Sequence, residues 1–242
     1  MQAPQRRAAP NRSIGQSRAT VNLETVRQAV IVEVTGMPGA GKSTIIEALA
    51  RPCADPGPKR RVFSDTWSNG RSLWESIRFE CRLWNELIRC RPLSARQVQW
   101  LWRQSGRARV GVALRLNIFR NCLLKFAYRP VIENSIPAGD APVYVDEGIS
   151  HIPFLLQRLE DGCAVVEGFV REFGDGLRGV RVLFVDADPD DVRSRLRARS
   201  HKRLRPGDEP GLNRFVDICG RTAACIQRNR DVYQSFEIVW NR

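Results

Sequence analysis

The chain has 242 residues, of which 43% are hydrophobic and 27% charged, a composition that supplies a full-sized core and excludes a wholly disordered chain. No apolar run reaches the roughly 20 residues that cross a bilayer, and the polar first 28 residues lack the hydrophobic stretch of a secretory signal. The seven cysteines contain no Cys-x-x-Cys pair, which argues against a disulfide framework and a structural zinc site. We therefore expect a cytoplasmic protein without a membrane partner.

Positive charge dominates the sequence. The 39 Lys+Arg and 26 Asp+Glu residues give a net charge of +13, and five arginines with one glutamate place +4 of it in the first 28 residues. A surplus of this size favours polyanionic partners such as nucleotides and nucleic acid. Binding of small phosphates and solubility are the simpler explanation, and nucleic acid is retained as an alternative partner.

The predicted elements alternate along the chain. Residues 1–28 hold scattered prolines, glycines and polar residues, and we predict a flexible basic arm there, followed by one domain over residues 29–242. Residues 29–35 form an apolar, β-branched run that is typical of a buried parallel strand, and a helix over 42–49 follows. The further predicted strands are residues 61–64, 143–146, 181–186 and 237–240.

Between residues 67 and 129 the pattern is helical, because apolar residues recur at intervals of three and four. A capping box of Ser94 and Gln97 opens the second helical stretch, which we expect to end at Tyr128, before Pro130. The six tryptophans lie mostly on such apolar stripes and are predicted to be core residues.

The C-terminal half continues the alternation. A helix begins at Pro153, and a Gly-rich segment around residues 174–179 leads into the fourth strand. Asp188 is placed to cap the next helix, with Pro189 at its first position. The last helix carries an apolar stripe of Phe215, Cys219, Thr222, Ile226, Asn229 and Tyr233. Strands that alternate with helices predict an α/β fold with a parallel sheet and helices on both faces.

The strongest motif is Gly36-Met37-Pro38-Gly39-Ala40-Gly41-Lys42-Ser43, which has the P-loop spacing G-x-x-x-x-G-K-[ST]. It follows a predicted strand and opens a predicted helix, as the motif requires. Its glycines let backbone N–H groups turn toward phosphate oxygens, and the positive end of the helix dipole faces the same anion. Lys42 is expected to reach the β- and γ-phosphates and Ser43 to ligate Mg²⁺. These residues and Thr44 are the predicted nucleotide-binding residues.

A second motif ends the third strand. Asp146, Glu147 and Gly148 follow a buried apolar run, where a Walker B carboxylate lies if this strand neighbours the P-loop strand. Asp146 is predicted to hold Mg²⁺, directly or through water, and Glu147 to orient or deprotonate the attacking group. Asp-Glu-Gly alone is a common tripeptide, so this prediction depends on the P-loop before it.

Two further segments carry candidate site residues. Arg195 and Arg199 lie four residues apart on one face of a predicted helix, and their guanidinium groups suit the charge of a transferring phosphoryl group. A solvated basic helix explains the same arginines. Asp65 follows the second strand, where it could take a proton from an acceptor hydroxyl, and Trp67 could stack on a ring. A simple turn explains both.

Other chemistries find no support in the sequence. The two histidines, His151 and His201, lack a Ser or Cys partner at a diagnostic spacing, which argues against triad chemistry and a histidine metal site. An Asn-Lys-x-Asp element for guanine recognition is missing from the sequence, which argues against a GTPase switch.

Residues 36–43, the Asp146-Glu147-Gly148 motif, the fourth strand with Asp188-Pro189, and Arg195-x-x-x-Arg199 together resemble P-loop kinases of the nucleoside and nucleotide kinase group. Thymidylate kinases and deoxynucleoside kinases are the most similar. The resemblance covers about residues 29–242. It implies a three-layer P-loop NTPase fold, with a five-stranded parallel sheet in the order 2-3-1-4-5. It also implies acceptor-side helices over about 67–129 and an arginine-rich lid over about 193–212.

The same resemblance implies ATP as phosphoryl donor and Mg²⁺ as cofactor. The positions that match are Lys42, Ser43, Asp146, Arg195 and Arg199. The acceptor does not carry over, because thymidylate kinases have Asp-Arg-Tyr/His at the Asp-Glu-Gly motif and deoxynucleoside kinases have Glu-Pro at Asp65-Thr66.

A small acceptor, a nucleoside or nucleotide, is the expected substrate. One alternative is a kinase that acts on nucleic acid or on a modified base in it. The other is a nucleotide-binding regulator or nucleic-acid-binding protein without catalysis. A homodimer is left open.

Overall fold

The computed structural model describes residues 30–51, 61–63, 73–106, 111–135, 142–157, 162–199 and 207–241. Within these ranges five parallel strands form one sheet in the order β2-β3-β1-β4-β5. The strands are β1 (Ile31–Gly36), β2 (Arg61–Phe63), β3 (Val143–Asp146), β4 (Arg181–Asp186) and β5 (Ser235–Trp240). All five lie where the sequence predicts strands, and their order is the one that the resemblance implies.

The helices fill the connections between strands. They are α1 (Lys42–Ala50), α2 (Leu73–Cys90), α3 (Ala95–Gly106), α4 (Val112–Ser135), α5 (Ile152–Leu156), α6 (Gly162–Leu177), α7 (Pro189–Arg199) and α8 (Glu209–Arg228). The predicted capping box at α3 is confirmed: Ser94 N–H donates to Gln97 Oε1 at 2.9 Å, and Gln97 N–H donates to Ser94 Oγ at 3.3 Å. No helix in the described ranges has the length and apolarity to cross a membrane.

Helix α4 does not end at Tyr128, as the sequence predicts, but continues through Pro130 to Ser135. Proline inside a helix costs about 3 kcal/mol. Val131 and Ile132 lie just beyond it and are fully buried in a cluster with Leu83, and burying two such side chains yields about 1.5–3 kcal/mol each. Packing therefore outweighs the local preference of proline.

Helix α6 contains part of the segment that the sequence presents as a Gly-rich connection. Gly174 and Gly176 lie inside the helix, which ends at Leu177. Phe173 and Leu177 are buried in the main core, so tertiary contacts offset the poor helix propensity of glycine.

The prediction that the tryptophans are mostly core is wrong for three of those described. Trp74 is 73% exposed, Trp102 37% and Trp240 59%. Trp74 lies in the first turn of α2, and Trp240 ends β5, which is an edge strand of the described sheet. The spacing of apolar residues predicts which face of an element is buried, but it does not predict which residues lie at the exposed ends of that element.

The sheet brings the two sequence motifs to one edge. Val34 in β1 pairs with Asp146 in β3, and Gly36 pairs with Val185 in β4. The P-loop and the acid pair, Asp146 and Glu147, therefore lie at the carboxyl ends of neighbouring parallel strands. Ligands bind at this edge in open α/β sheets.

Candidate functional site

The loop from β1 to α1 is curled in the way that its glycines allow. Gly36, Gly39 and Gly41 have φ of +151°, +85° and +89°, conformations that residues with a side chain rarely adopt. A Cβ on Gly36 would also overlap the main-chain oxygen of Val185. Gly41 caps α1 and has no side chain to accept from the first-turn N–H groups. The loop and the helix terminus thus present main-chain donors that suit an anion.

The Lys42 side chain extends across this loop and contacts Glu147 of the acid pair. Its buried Nζ donates to the main-chain oxygens of Gly36 and Met37, each at 3.2 Å. The same Nζ lies 3.2 Å from Glu147 Oε1. Three protons on one ammonium group can satisfy these three acceptors. Ser43 and Thr44 follow on the exposed side of the first turn.

Glu147 has an unusual backbone for a residue with a side chain. Its φ is +55°, and its N–H donates to the main-chain oxygen of Val34 at 3.0 Å. The turn aims the carboxylate at Lys42 and at His151 Nε2, which lies 3.4 Å from Oε1. Asp146, directly before it, is buried at the end of β3.

Electrostatics keep Glu147 charged. Burial alone would raise the pKa of its carboxyl group, but the charges of His151, Lys42 and Lys125 outweigh burial and hold this pKa well below its ordinary value. An acid whose pKa is so low binds a proton weakly and is a poor general base. In this arrangement Glu147 is the anionic partner of Lys42.

A buried polar cluster, not predicted from the sequence, lies behind the acid pair. Lys125 of α4 donates from Nζ to the main-chain oxygen of Glu147, and Glu33 Oε2 accepts from Ser150 N–H at 2.8 Å. His151 Nδ1 lies 3.4 Å from Thr35 Oγ1. Burial raises the pKa of Glu33, although the Ser150 and Ile149 hydrogen bonds act against it. The sequence contains one signal that could have revealed this cluster: Glu33 and Lys125 are charged residues inside apolar runs.

Two residues from the C-terminal half hold the outside of the loop. Arg195 Nη1 donates to the main-chain oxygens of Ala40 at 3.1 Å and Gly39 at 3.4 Å. Asn241 Nδ2 donates to the same Ala40 oxygen at 2.8 Å. Arg195 thus contacts loop carbonyls in this structure, and its predicted contact with the β- and γ-phosphates stays a prediction. Asn241 was not predicted, although it directly follows a strand at the ligand-binding edge.

Several predicted site residues lie outside the described part of the chain. They are Asp65, Trp67, the side chain of Arg199, residues 200–206 of the predicted lid, and the basic arm over 1–28. Their predicted roles remain predictions.

The predicted magnesium ligands pass a chemical test. In the described ranges no group of three His, Cys, Asp or Glu side chains could hold a metal ion. Ser43 and Asp146 supply oxygen donors beside the loop, and Mg²⁺ is commonly held by one or two such side chains together with water and substrate phosphates. The donor set fits a magnesium ion that arrives with a nucleotide.

Comparisons with known proteins leave the family open. No family profile matches the chain, and no curated protein matches it. Among solved structures, deoxyadenosine kinase from M. mycoides with bound dATP is 13% identical at a TM-score of 0.40, over 87% of this chain and 90% of that one. A Thermus thermophilus protein is 19% identical at a TM-score of 0.39, over 89% of this chain and 90% of its own. Likenesses at these scores support no assignment of function.

Proposed function

We propose that this protein is a Mg²⁺-dependent ATP phosphotransferase that passes the γ-phosphoryl group to a small acceptor, a nucleoside or nucleotide. One observation carries the proposal: a curled P-loop lies beside the Asp146–Glu147 pair at the end of the neighbouring strand, and Lys42 contacts both the loop and Glu147. A loop that bound only phosphate would not need acids at its side. Acids there serve a cation or an acceptor hydroxyl.

The residues of the chain account for the main requirements of phosphoryl transfer, which are position and charge neutralisation. The main-chain N–H groups at the start of α1 bind the phosphate chain, and Lys42, oriented by its contact with Glu147, faces the phosphates. Ser43 and Asp146 would hold the magnesium ion, which offsets phosphate charge when bound. Arg195 braces the outer wall of the loop through the carbonyl oxygens of Gly39 and Ala40.

Three acids are candidates for the general base that takes the proton of the acceptor hydroxyl. His151, Lys42 and Lys125 together favour the charged form of Glu147, so it serves best as the partner that orients Lys42. Asp146 is assigned to the magnesium ion. Asp65 then remains as the acid that would take the acceptor proton, on the strength of its position after β2.

Purified protein tests the proposal directly. ATP turnover with a panel of nucleosides and nucleotides should require Mg²⁺ and should fall by roughly two to three orders of magnitude in Lys42→Ala, with the fold intact by circular dichroism. The matched control is Arg51→Ala, which removes one positive charge at the far end of α1 and should keep full turnover. Wild-type turnover in Lys42→Ala, or an absence of ATP binding by the wild type, would refute the proposal.

A further inference from the structure

A buried lysine lies directly behind the acid pair. Lys125 is only 4% exposed, and its Nζ donates to the main-chain oxygen of Glu147. Its charge also attracts the carboxyl groups of Glu33 and Glu147 and acts to lower the pKa of each. A buried ammonium group is costly unless such partners compensate it. The hydrogen bond to the Glu147 carbonyl therefore fixes the position of Lys125 relative to this turn.

Glu147 needs external support to keep its conformation. Residues with a side chain avoid the left-handed region that its φ of +55° occupies. Two hydrogen bonds within the described residues hold the main chain of Glu147, one from its N–H to the oxygen of Val34 and one from Lys125 to its own oxygen. Of these, only the second involves a side chain and can be removed by substitution.

The other side of the turn is held by Glu33. Its carboxylate accepts from Ser150 N–H at 2.8 Å and occupies the space that a Cβ on Gly148 would fill. Glu33 and Lys125 thus enclose the Glu147–Ser150 turn from β1 and from α4.

We propose that Lys125 is a positioning residue that fixes Glu147 against Lys42. Without the ammonium group, the Glu147 oxygen loses its buried donor and the backbone relaxes toward negative φ. The carboxylate then moves away from Lys42, which loses one of its three acceptors. The catalytic consequence rests on the proposed function, whereas the structural consequence does not.

Crystal structures of the wild type and Lys125→Met test the structural half. We expect the variant to lose the 3.2 Å contact between Lys42 Nζ and Glu147 Oε1 and to place Glu147 at negative φ. Ile132→Val, a core change on the same helix, is the control for general loosening and should leave Glu147 in place. An unchanged Glu147 in Lys125→Met would overturn the proposal. A variant too unstable to crystallise is replaced by Lys125→Gln, which keeps a donor but no charge.

A double-mutant cycle with Glu147→Ala tests the catalytic half. Lys125→Met should lower kcat by roughly 10–100-fold with the KM for ATP within about threefold, and by less than about threefold when Glu147 is already alanine. Equal losses in both backgrounds would show that Lys125 does not act through Glu147. If the wild type transfers no phosphoryl group but Glu147 moves in the crystal, the proposed function fails and the positioning role stands.

Discussion

Glu33 and Glu147 are neighbouring acids of the candidate site whose pKa values move in opposite directions. Burial raises the pKa of Glu33, and two main-chain hydrogen bonds and Lys125 only partly offset it. Burial also acts to raise the pKa of Glu147, but His151, Lys42 and Lys125 reverse the direction. The difference comes from the number of cations within reach and not from residue type. One acid is therefore suited to remain charged beside Lys42, while the other can hold a proton.

Glu33 gives the stability of the protein a defined pH dependence. Because its folded pKa is raised above the ordinary value of 4.5, the stability it contributes is present below that pH and is lost as pH rises through the folded pKa. We expect Glu33→Gln, which cannot ionise, to gain stability relative to the wild type as the pH rises above 4.5. Urea unfolding at a series of pH values measures this difference.

The control for this prediction is Glu47→Gln, which removes an exposed carboxylate from α1. Its stability relative to the wild type should not follow the same rise. A difference between Glu33→Gln and the wild type that stays constant with pH would contradict the assignment of a raised pKa to Glu33.

At the scale of elements, the local sequence determines much of the structure. The β-branched runs, the glycines of the loop, and the Ser94 and Gln97 capping box specify strands, a turn and a helix start through short-range chemistry, and all are found as predicted. The end of α4, the glycines within α6 and the cluster around Lys125 depend on contacts between segments far apart in sequence. Such contacts leave no periodic signal in the sequence. The predictions for α4 and α6 were therefore wrong, and the cluster around Lys125 was not predicted.

Pro130 offers a test of packing against local preference. Pro130→Ala restores one main-chain donor inside α4 and removes the clash of the ring with the preceding turn, so the free energy of unfolding should rise by about 1–3 kcal/mol. Pro189→Ala is the matched control, because proline at the first position of α7 costs little, and its stability should be unchanged or slightly lower. Urea titration of both variants provides the measurement, and a loss of stability in Pro130→Ala would contradict this prediction.

At the scale of the whole molecule, the site is assembled from segments spread over most of the chain. Ala40 in the loop accepts a hydrogen bond from Asn241, which is 201 positions away, and another from Arg195 on α7. The acid pair comes from β3, between these two regions in sequence. Sheet order brings them together, so the parts could be recognised from motifs while their mutual contacts required the structure.

Net charge allows small and polymeric substrates to be distinguished. A protein that contacts several phosphates of a nucleic acid loses affinity steeply with salt, by a factor that grows with the number of phosphates contacted, whereas a small acceptor engages only local charges.

We expect deletion of residues 1–28, which removes +4 of the net +13, to leave kcat/KM for a small acceptor within about twofold. The salt dependence of that rate should be shallow, because charges farther away than about 10 Å are screened at 0.1 M salt. Kinetics at 50 and 200 mM salt on the full chain and the truncated chain measure both effects. A steep fall with salt that becomes shallower on truncation would instead identify the arm as part of a polymer-binding surface, since each lost phosphate contact reduces the slope.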